Sequence, residues 1–189
     1  IDFEYHAPTS LEEVFRLLDQ YGDDARIMAG GTALVIQMKQ RLSQPGHVIG
    51  LRQMGSLNSI ESTPEGLRIG ALCTQRQIEN NILVGENLPL LADTFRKVAT
   101  PRIRNMATIG GGLVNGDPNQ DPPPALIALG ASAVMTSKSG GRVVPLEELF
   151  IDYYETDVRP GEVMTSVVVP LAPAGSGSVY LKFLPRTAD

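Results

Sequence analysis

The segment Met106-Ala107-Thr108-Ile109-Gly110-Gly111-Gly112-Leu113 constrains this chain more than any other. Three consecutive glycines carry no β-carbon, so the backbone there can be approached closely and its N–H groups can turn toward a partner. A second segment of the same kind lies upstream, Ile27-Met28-Ala29-Gly30-Gly31-Thr32-Ala33. Taken singly, Gly30-Gly31 reads as a turn. For the triple glycine with Thr108 before it, turn and ligand loop both stay open. The two together fit two lobes that close around one phosphorylated ligand, with the Thr32 and Thr108 hydroxyls adding hydrogen bonds.

The elements around the loops support that picture. Thr9-Ser10 can cap a helix from Leu11 to Gln20, with Glu12 or Glu13 reaching back to the first-turn N–H groups, and Tyr21-Gly22 ends it. Ala25 to Ala29 reads as a strand running into Gly30-Gly31. Thr32 can then cap a helix over Ala33 to Gln40, and His47 to Leu51 is a second strand. This α/β unit puts its glycine turn where a strand ends and a helix begins, a position suited to an anion. Beyond it, Ser59–Thr63 and Leu67–Ala71 form a hairpin, Thr74 caps a helix over Gln75 to Asn81, and Pro89 to Val98 is a further helix. Pro122 starts another, which Gly130 stops. Ala131–Ser137 and Gly141–Val144 form a second hairpin, Leu146–Phe150 is a helical turn, and Val163–Pro170 is an apolar strand. Residues 172–177 have linker composition, and Val179–Leu184 is a strand-like run. The division expected is residues 1–56, residues 57–171, and a linker over 172–189 that leads toward a further domain. Neither end carries a natural terminus signal, so the chain reads as a fragment of a longer subunit.

Several function classes drop out. The net charge is −5 over 189 residues, which leaves no basic footprint for nucleic acid. No apolar run is long enough to span a membrane and no signal-like segment opens the chain; the single cysteine makes the cytoplasm the default compartment. One cysteine, Cys73, cannot build a disulfide, a cysteine-ligated zinc site or an iron–sulfur cluster. No Gly-Lys-Ser/Thr follows either glycine run, so this is not a P-loop. Asn115 stands where a dinucleotide fingerprint needs its third glycine. Neither His6 nor His47 suggests a nucleophile arrangement. No catalytic residue and no metal ligand is expected in this chain.

Ala29-Gly30-Gly31-Thr32-Ala33 and Arg104-Asn105-Met106-Ala107-Thr108-Ile109-Gly110-Gly111 resemble the two flavin loops of the FAD-binding subunit of molybdenum hydroxylases, the xanthine dehydrogenase family. Asp117-Pro118-Asn119-Gln120-Asp121-Pro122-Pro123, Ala125 to Ala131, Pro160 to Met164 and Lys182-Phe183 continue the likeness over nearly the whole chain. The resemblance implies an α+β fold, the two-lobed FAD-binding domain of the vanillyl-alcohol oxidase / p-cresol methylhydroxylase type. It implies that Arg26, Met28, Ala29, Gly30, Gly31, Thr32, Ala33 and Leu34 line the pyrophosphate and ribityl chain. Ala107, Thr108, Gly110 and Gly111 form the second loop. Asp121 binds the adenosine end, Met164 (with Val163 a near alternative) packs on the adenine or flavin edge, and Lys182 approaches the isoalloxazine. Gly112 departs from the pattern, since these subunits often carry asparagine there.

The resemblance further implies an electron-transfer subunit. A large chain would hold the molybdenum cofactor, and a small chain would hold two iron–sulfur clusters of the [2Fe-2S] type. FAD here would pass electrons to NAD, oxygen or a quinone. Neither histidine adjoins a glycine loop, so FAD is expected to be non-covalent. Two competing readings are a stand-alone flavin oxidase or dehydrogenase, and a nucleotide-binding module without redox activity.

Overall fold

The computed structural model describes residues 2–183. Strand β1 (Glu4–His6) opens the chain, followed by helix α1 (Leu11–Tyr21), β2 (Ala25–Met28), α2 (Leu34–Lys39) and β3 (His47–Gly50). The three strands form a parallel sheet in the order β1-β3-β2. Strand β1 was not expected, because Glu4-Tyr5-His6 is too short and too exposed to carry an alternating pattern. Helix α1 starts as expected. Ser10 accepts the Glu13 N–H, and the Glu13 carboxylate accepts the Thr9 N–H. Its Val14, Phe15 and Leu17 are buried against Ala25, Ile49 and Leu51, forming the smaller of two cores.

The second unit is built on an antiparallel sheet. Strands β4 (Ile60–Thr63) and β5 (Gly66–Gly70) are the first hairpin. Helices α3 (Gln75–Asn80), α4 (Ile82–Asn87), α5 (Pro89–Arg96), α6 (Pro101–Arg104), α7 (Ile109–Asn115) and α8 (Pro122–Ala128) follow in turn. Strands β6 (Ser132–Ser137) and β7 (Gly140–Pro145) are the second hairpin. After α9 (Leu146–Leu149), β8 (Phe150–Asp152) and β9 (Glu155–Thr156) pair as a small ribbon, and β10 (Val163–Val169) closes the sheet. The strand order is β4-β5-β10-β6-β7, so the last strand inserts between the two hairpins. Strand β10 is thereby flanked by a partner on each edge, which fits its largely apolar sequence. Phe95, Leu91, Leu126, Met135 and Ile69 anchor the larger core.

Three local expectations are corrected. The triple glycine is not a loop but the first turn of α7, capped by Thr108, whose hydroxyl accepts the Gly111 N–H. Thr32 does not cap α2; Ala33 holds the cap position and no side chain bonds there. Residues 179–183 form no strand, and residue 184 lies outside the described residues, as does the C-terminal Arg186–Asp189.

The two glycine segments touch. A β-carbon at Gly30 would overlap the backbone carbonyl of Met106, so only glycine permits this approach. On the far side, residues 71–75 clamp the second segment. The Ala71 and Cys73 carbonyls accept the N–H groups of Gly110 and Ile109, and Ala107 accepts that of Gln75. Gly110 is needed for packing there, since its β-carbon would lie 2.6 Å from that of Ala71.

A buried ion pair sets the approach to this clamp. Glu79 on α3 accepts from Arg104 on α6 at 2.8 Å, and both side chains are almost wholly buried. Arg76 adds a second bond to Glu79, and Arg104 also donates to the Val98 carbonyl. Burial alone would raise the Glu79 carboxyl; the hydrogen bonds from Arg104 and Arg76 outweigh it and hold it below the ordinary range.

Two outcomes follow for stability. Gly30→Ala should cost about 2–3 kcal/mol, because two backbones must part. Gly31→Ala should cost only about 1 kcal/mol, the penalty of its left-handed φ of +74°. Denaturant midpoints measure the difference. Glu79→Gln should cost about 3 kcal/mol at neutral pH by stranding Arg104. Because the folded carboxyl titrates below its unfolded value, wild type should keep this stability above the unfolded pKa and lose it as pH falls through the folded one. The variant should lack that component, as denaturation curves across the acid range will read.

Candidate flavin site between the glycine segments

The first glycine segment is an open row of donors. Strand β2 ends at Met28, and α2 begins at Leu34. Between them the chain turns through Gly31 with its left-handed φ. Among the described residues, none of the N–H groups from Ala29 to Leu34 donates to a protein acceptor. The same residues are only partly buried. Six consecutive N–H groups without a protein acceptor, at the carboxyl end of a parallel strand, are a source of positive potential. It needs no lysine, and none stands in the segment.

The second segment plays a different part. The N–H groups of Ile109, Gly110, Gly111 and Gly112 are all used, by Cys73, Ala71 and, for the last two, Thr108. It therefore supplies a small-residue wall, not the donors that the glycine run suggested. Ala29 and Gly111 face each other across the seam, where a β-carbon on Gly111 would sit 3.4 Å from that of Ala29. Gly112, the departure from the resembled pattern, has the Gln120 side chain in the space asparagine would start to fill. The Gln120 amide donates to the Gly112 carbonyl at 2.8 Å.

Beside this wall lies a residue the sequence did not point to. Gln75 is 6% exposed, and its side-chain oxygen is buried without a partner among the described residues. An unpaired buried acceptor costs about 1–3 kcal/mol, so it suits a donor brought by a ligand. Only its capping context, Thr74 before a helix, was visible in sequence.

Asp121 and Lys182 come together, 2.9 Å apart. Asp121 makes no capping bond to α8; its carboxylate instead receives Lys182 and the Tyr180 hydroxyl. Burial, then the hydrogen bond to Asp121 and its charge, push the Tyr180 phenol well above its ordinary range. Lys97 holds the same segment, donating to the Tyr180 carbonyl at 3.0 Å with its ammonium 5.0 Å over the ring. Residues 180–182 thus bridge the end of α5, at Lys97, and the start of α8, at Asp121, although 61 positions separate Lys182 from Asp121.

Two expected residues stand apart. Arg26 is exposed, and its guanidinium donates to the carbonyls of Asp23 and Ala25. Met164 is buried in the larger core, while its neighbour Val163 belongs to the smaller one. Met28 lies under Gly31, its sulfur 3.3 Å from where a β-carbon there would be.

The sequence and the fold have counterparts among known proteins. The chain is 37% identical over 187 residues to the carbon monoxide dehydrogenase medium chain of Afipia carboxidovorans, covering 99% of this chain and 65% of that one. It superposes on a carbon monoxide dehydrogenase structure from Hydrogenophaga pseudoflava with a TM-score of 0.96 at 38% identity, over 100% of this chain and 66% of the other. The chain therefore spans just under two thirds of these longer chains. A UDP-N-acetylenolpyruvylglucosamine reductase from Thermus caldophilus shares the fold alone, with a TM-score of 0.55 at 16% identity over 89% of this chain and 55% of that one. Residues 1–172 match the family described as the FAD binding domain in molybdopterin dehydrogenase, and the chain belongs to that family.

Proposed function

We propose that this chain is the FAD-binding part of an electron-transfer subunit in a molybdenum-containing hydroxylase or dehydrogenase. The observation that carries the assignment to an FAD site is the row of six free N–H groups from Ala29 to Leu34. The FAD pyrophosphate bears two negative charges, and backbone dipoles stabilise them without a counter-ion that would have to be desolvated. Gly30, Gly31, Thr32 and Ala33 hold the diphosphate in this reading. Ala107, Thr108 and Gly111 form the opposite wall, and the open Gln75 oxygen accepts from a cofactor hydroxyl or amino group. Asp121 and Lys182, joined in one pair, act at a single end of an extended cofactor.

Bound FAD supplies redox chemistry that accepts electrons from iron–sulfur clusters and delivers them to an acceptor such as NAD, oxygen or a quinone. This chain's own residues position the cofactor, exclude water with the small-residue wall, and leave substrate chemistry to a large molybdenum-cofactor subunit. A small iron–sulfur subunit is the second partner, and the cytoplasm is the proposed compartment. The two lobes divide near residue 56. No helix among the described residues is long and apolar enough to cross a membrane.

Titration of FAD into the flavin-free full-length chain should give one equivalent bound, with a shifted visible spectrum and full release on acid precipitation. Gly31→Asp tolerates the left-handed backbone but puts a carboxylate into the donor row. It should weaken FAD by about 100-fold, or about 2.7 kcal/mol, while the flavin-free protein keeps its circular dichroism. Wild-type affinity in Gly31→Asp would remove the donor row from the assignment. Metal analysis of the native complex should find molybdenum and iron; their absence would favour a stand-alone flavoenzyme.

A further inference from the structure

The small parallel sheet carries a second cluster at the end away from the glycine turn. Strands β1 and β3 run side by side, with Glu4 in register with His47 and His6 in register with Ile49. Side chains from neighbouring strands converge there. His6 Nε2 lies 3.1 Å from His47 Nδ1, and Glu4 Oε2 lies 3.6 Å from that same nitrogen. One ligand atom from each of the three residues fits within 4.8 Å of the others.

We propose that Glu4, His6 and His47 form a binding site for a divalent cation of the zinc type. Two imidazoles and one carboxylate are a borderline-soft N₂O donor set, which suits Zn²⁺ and not Mg²⁺ or Ca²⁺. Two of the three distances fit as well as the chemistry. With Zn–N bonds of about 2.0–2.1 Å, the ligand atoms of a tetrahedral ion lie roughly 3.3 Å apart. The two separations from His47 Nδ1, 3.1 and 3.6 Å, fall on either side of that edge length; Glu4 Oε1 lies 4.0 Å from His6 Nδ1, so closing the third edge takes a small side-chain rotation. Three protein ligands leave the fourth position to water.

The rings are also held in place before any ion arrives. Tyr21, at the end of α1, stacks on His47 with centroids 3.6 Å apart and planes 16° from parallel. It stacks on His6 as well, at 5.2 Å and 29°. One tyrosine thus fixes both ring planes, so binding loses little side-chain freedom. The histidines are partly buried and the carboxylate is exposed, which gives the ion a route in from solvent.

Such an ion would tie β1 to β3. Strand β1 is a three-residue edge strand, held by one neighbour. The site is separate from the proposed flavin site. His47 pairs with Ala25 at the start of β2, whereas the donor row begins after Met28 at its other end. By joining β1 to β3, the ion would brace the edge of the sheet that presents the glycine turn. Nothing in the sequence signals this cluster, because 41 residues separate His6 from His47 and only the parallel pairing joins them.

The test is metal titration of the full-length protein after chelator treatment. One Zn²⁺ should bind per chain and raise the thermal midpoint, and Co²⁺ in its place should give the intense visible band of a tetrahedral site. His6→Asn and His47→Asn should each weaken Zn²⁺ at least about tenfold and abolish the Co²⁺ band, with FAD uptake unchanged. Should His47→Asn misfold through loss of the Tyr21 stack, His6→Asn on the edge strand still decides the matter. Less than one equivalent bound, or wild-type affinity in a folded His6→Asn protein, overturns the site. Because FAD uptake is read separately, failure here leaves the flavin assignment untouched, and the reverse also holds.

Discussion

Everything at the proposed flavin site depends on one close approach, that of Gly30 to the carbonyl of Met106. Hydrogen at Cα is the only substituent that lets these backbones meet. The contact joins a parallel three-stranded unit to an antiparallel five-stranded one. On its other side, the second segment is fastened to the large core through the Ala71 and Cys73 carbonyls and through Gly110. The seam is therefore close-packed and hydrogen-bonded beside the proposed cofactor site. The two cores also share their border, since Leu57, Leu72 and Val163 pack with residues of the smaller sheet.

The two glycine segments divide the work in an asymmetric way. One leaves its N–H groups free; the other spends them on its own helix cap and on neighbouring strands. The difference is one of context. The segment after β2 turns left-handed at Gly31 before α2 begins, so its amides have no preceding carbonyls to meet. The segment after α6 enters a helix directly, and Thr108 and the clamp satisfy its first turn. In an acidic chain, the free amides are the positive potential available at that turn without lysine.

Charged side chains serve mainly to hold segments in place. The Glu79–Arg104 pair fixes the helix leading into the second segment. Asp121 gathers Lys182 and Tyr180, and so docks residues 180–182. In both cases partners far apart in sequence neutralise each other in a partly dry setting, where an unpaired charge would be costly.

Much was legible in the residues themselves. The Ser10 and Thr74 caps, both hairpins and the α1 stripe follow from local chemistry and periodicity, which act within a few residues, whereas the fold class came with the resemblance. The resemblance carried by the ordered motifs led to the family. What sequence could not decide were contacts between distant elements. That Gly110 packs on Ala71, that β10 inserts between two hairpins, that Gln75 is buried with an open acceptor, and that Asp121 meets Lys182 are all matters of tertiary proximity. The triple glycine shows the limit most clearly. Glycine permits both a loop and a close-packed helix turn, and only the clamp from residues 71–75, with the Thr108 cap, selects the helix.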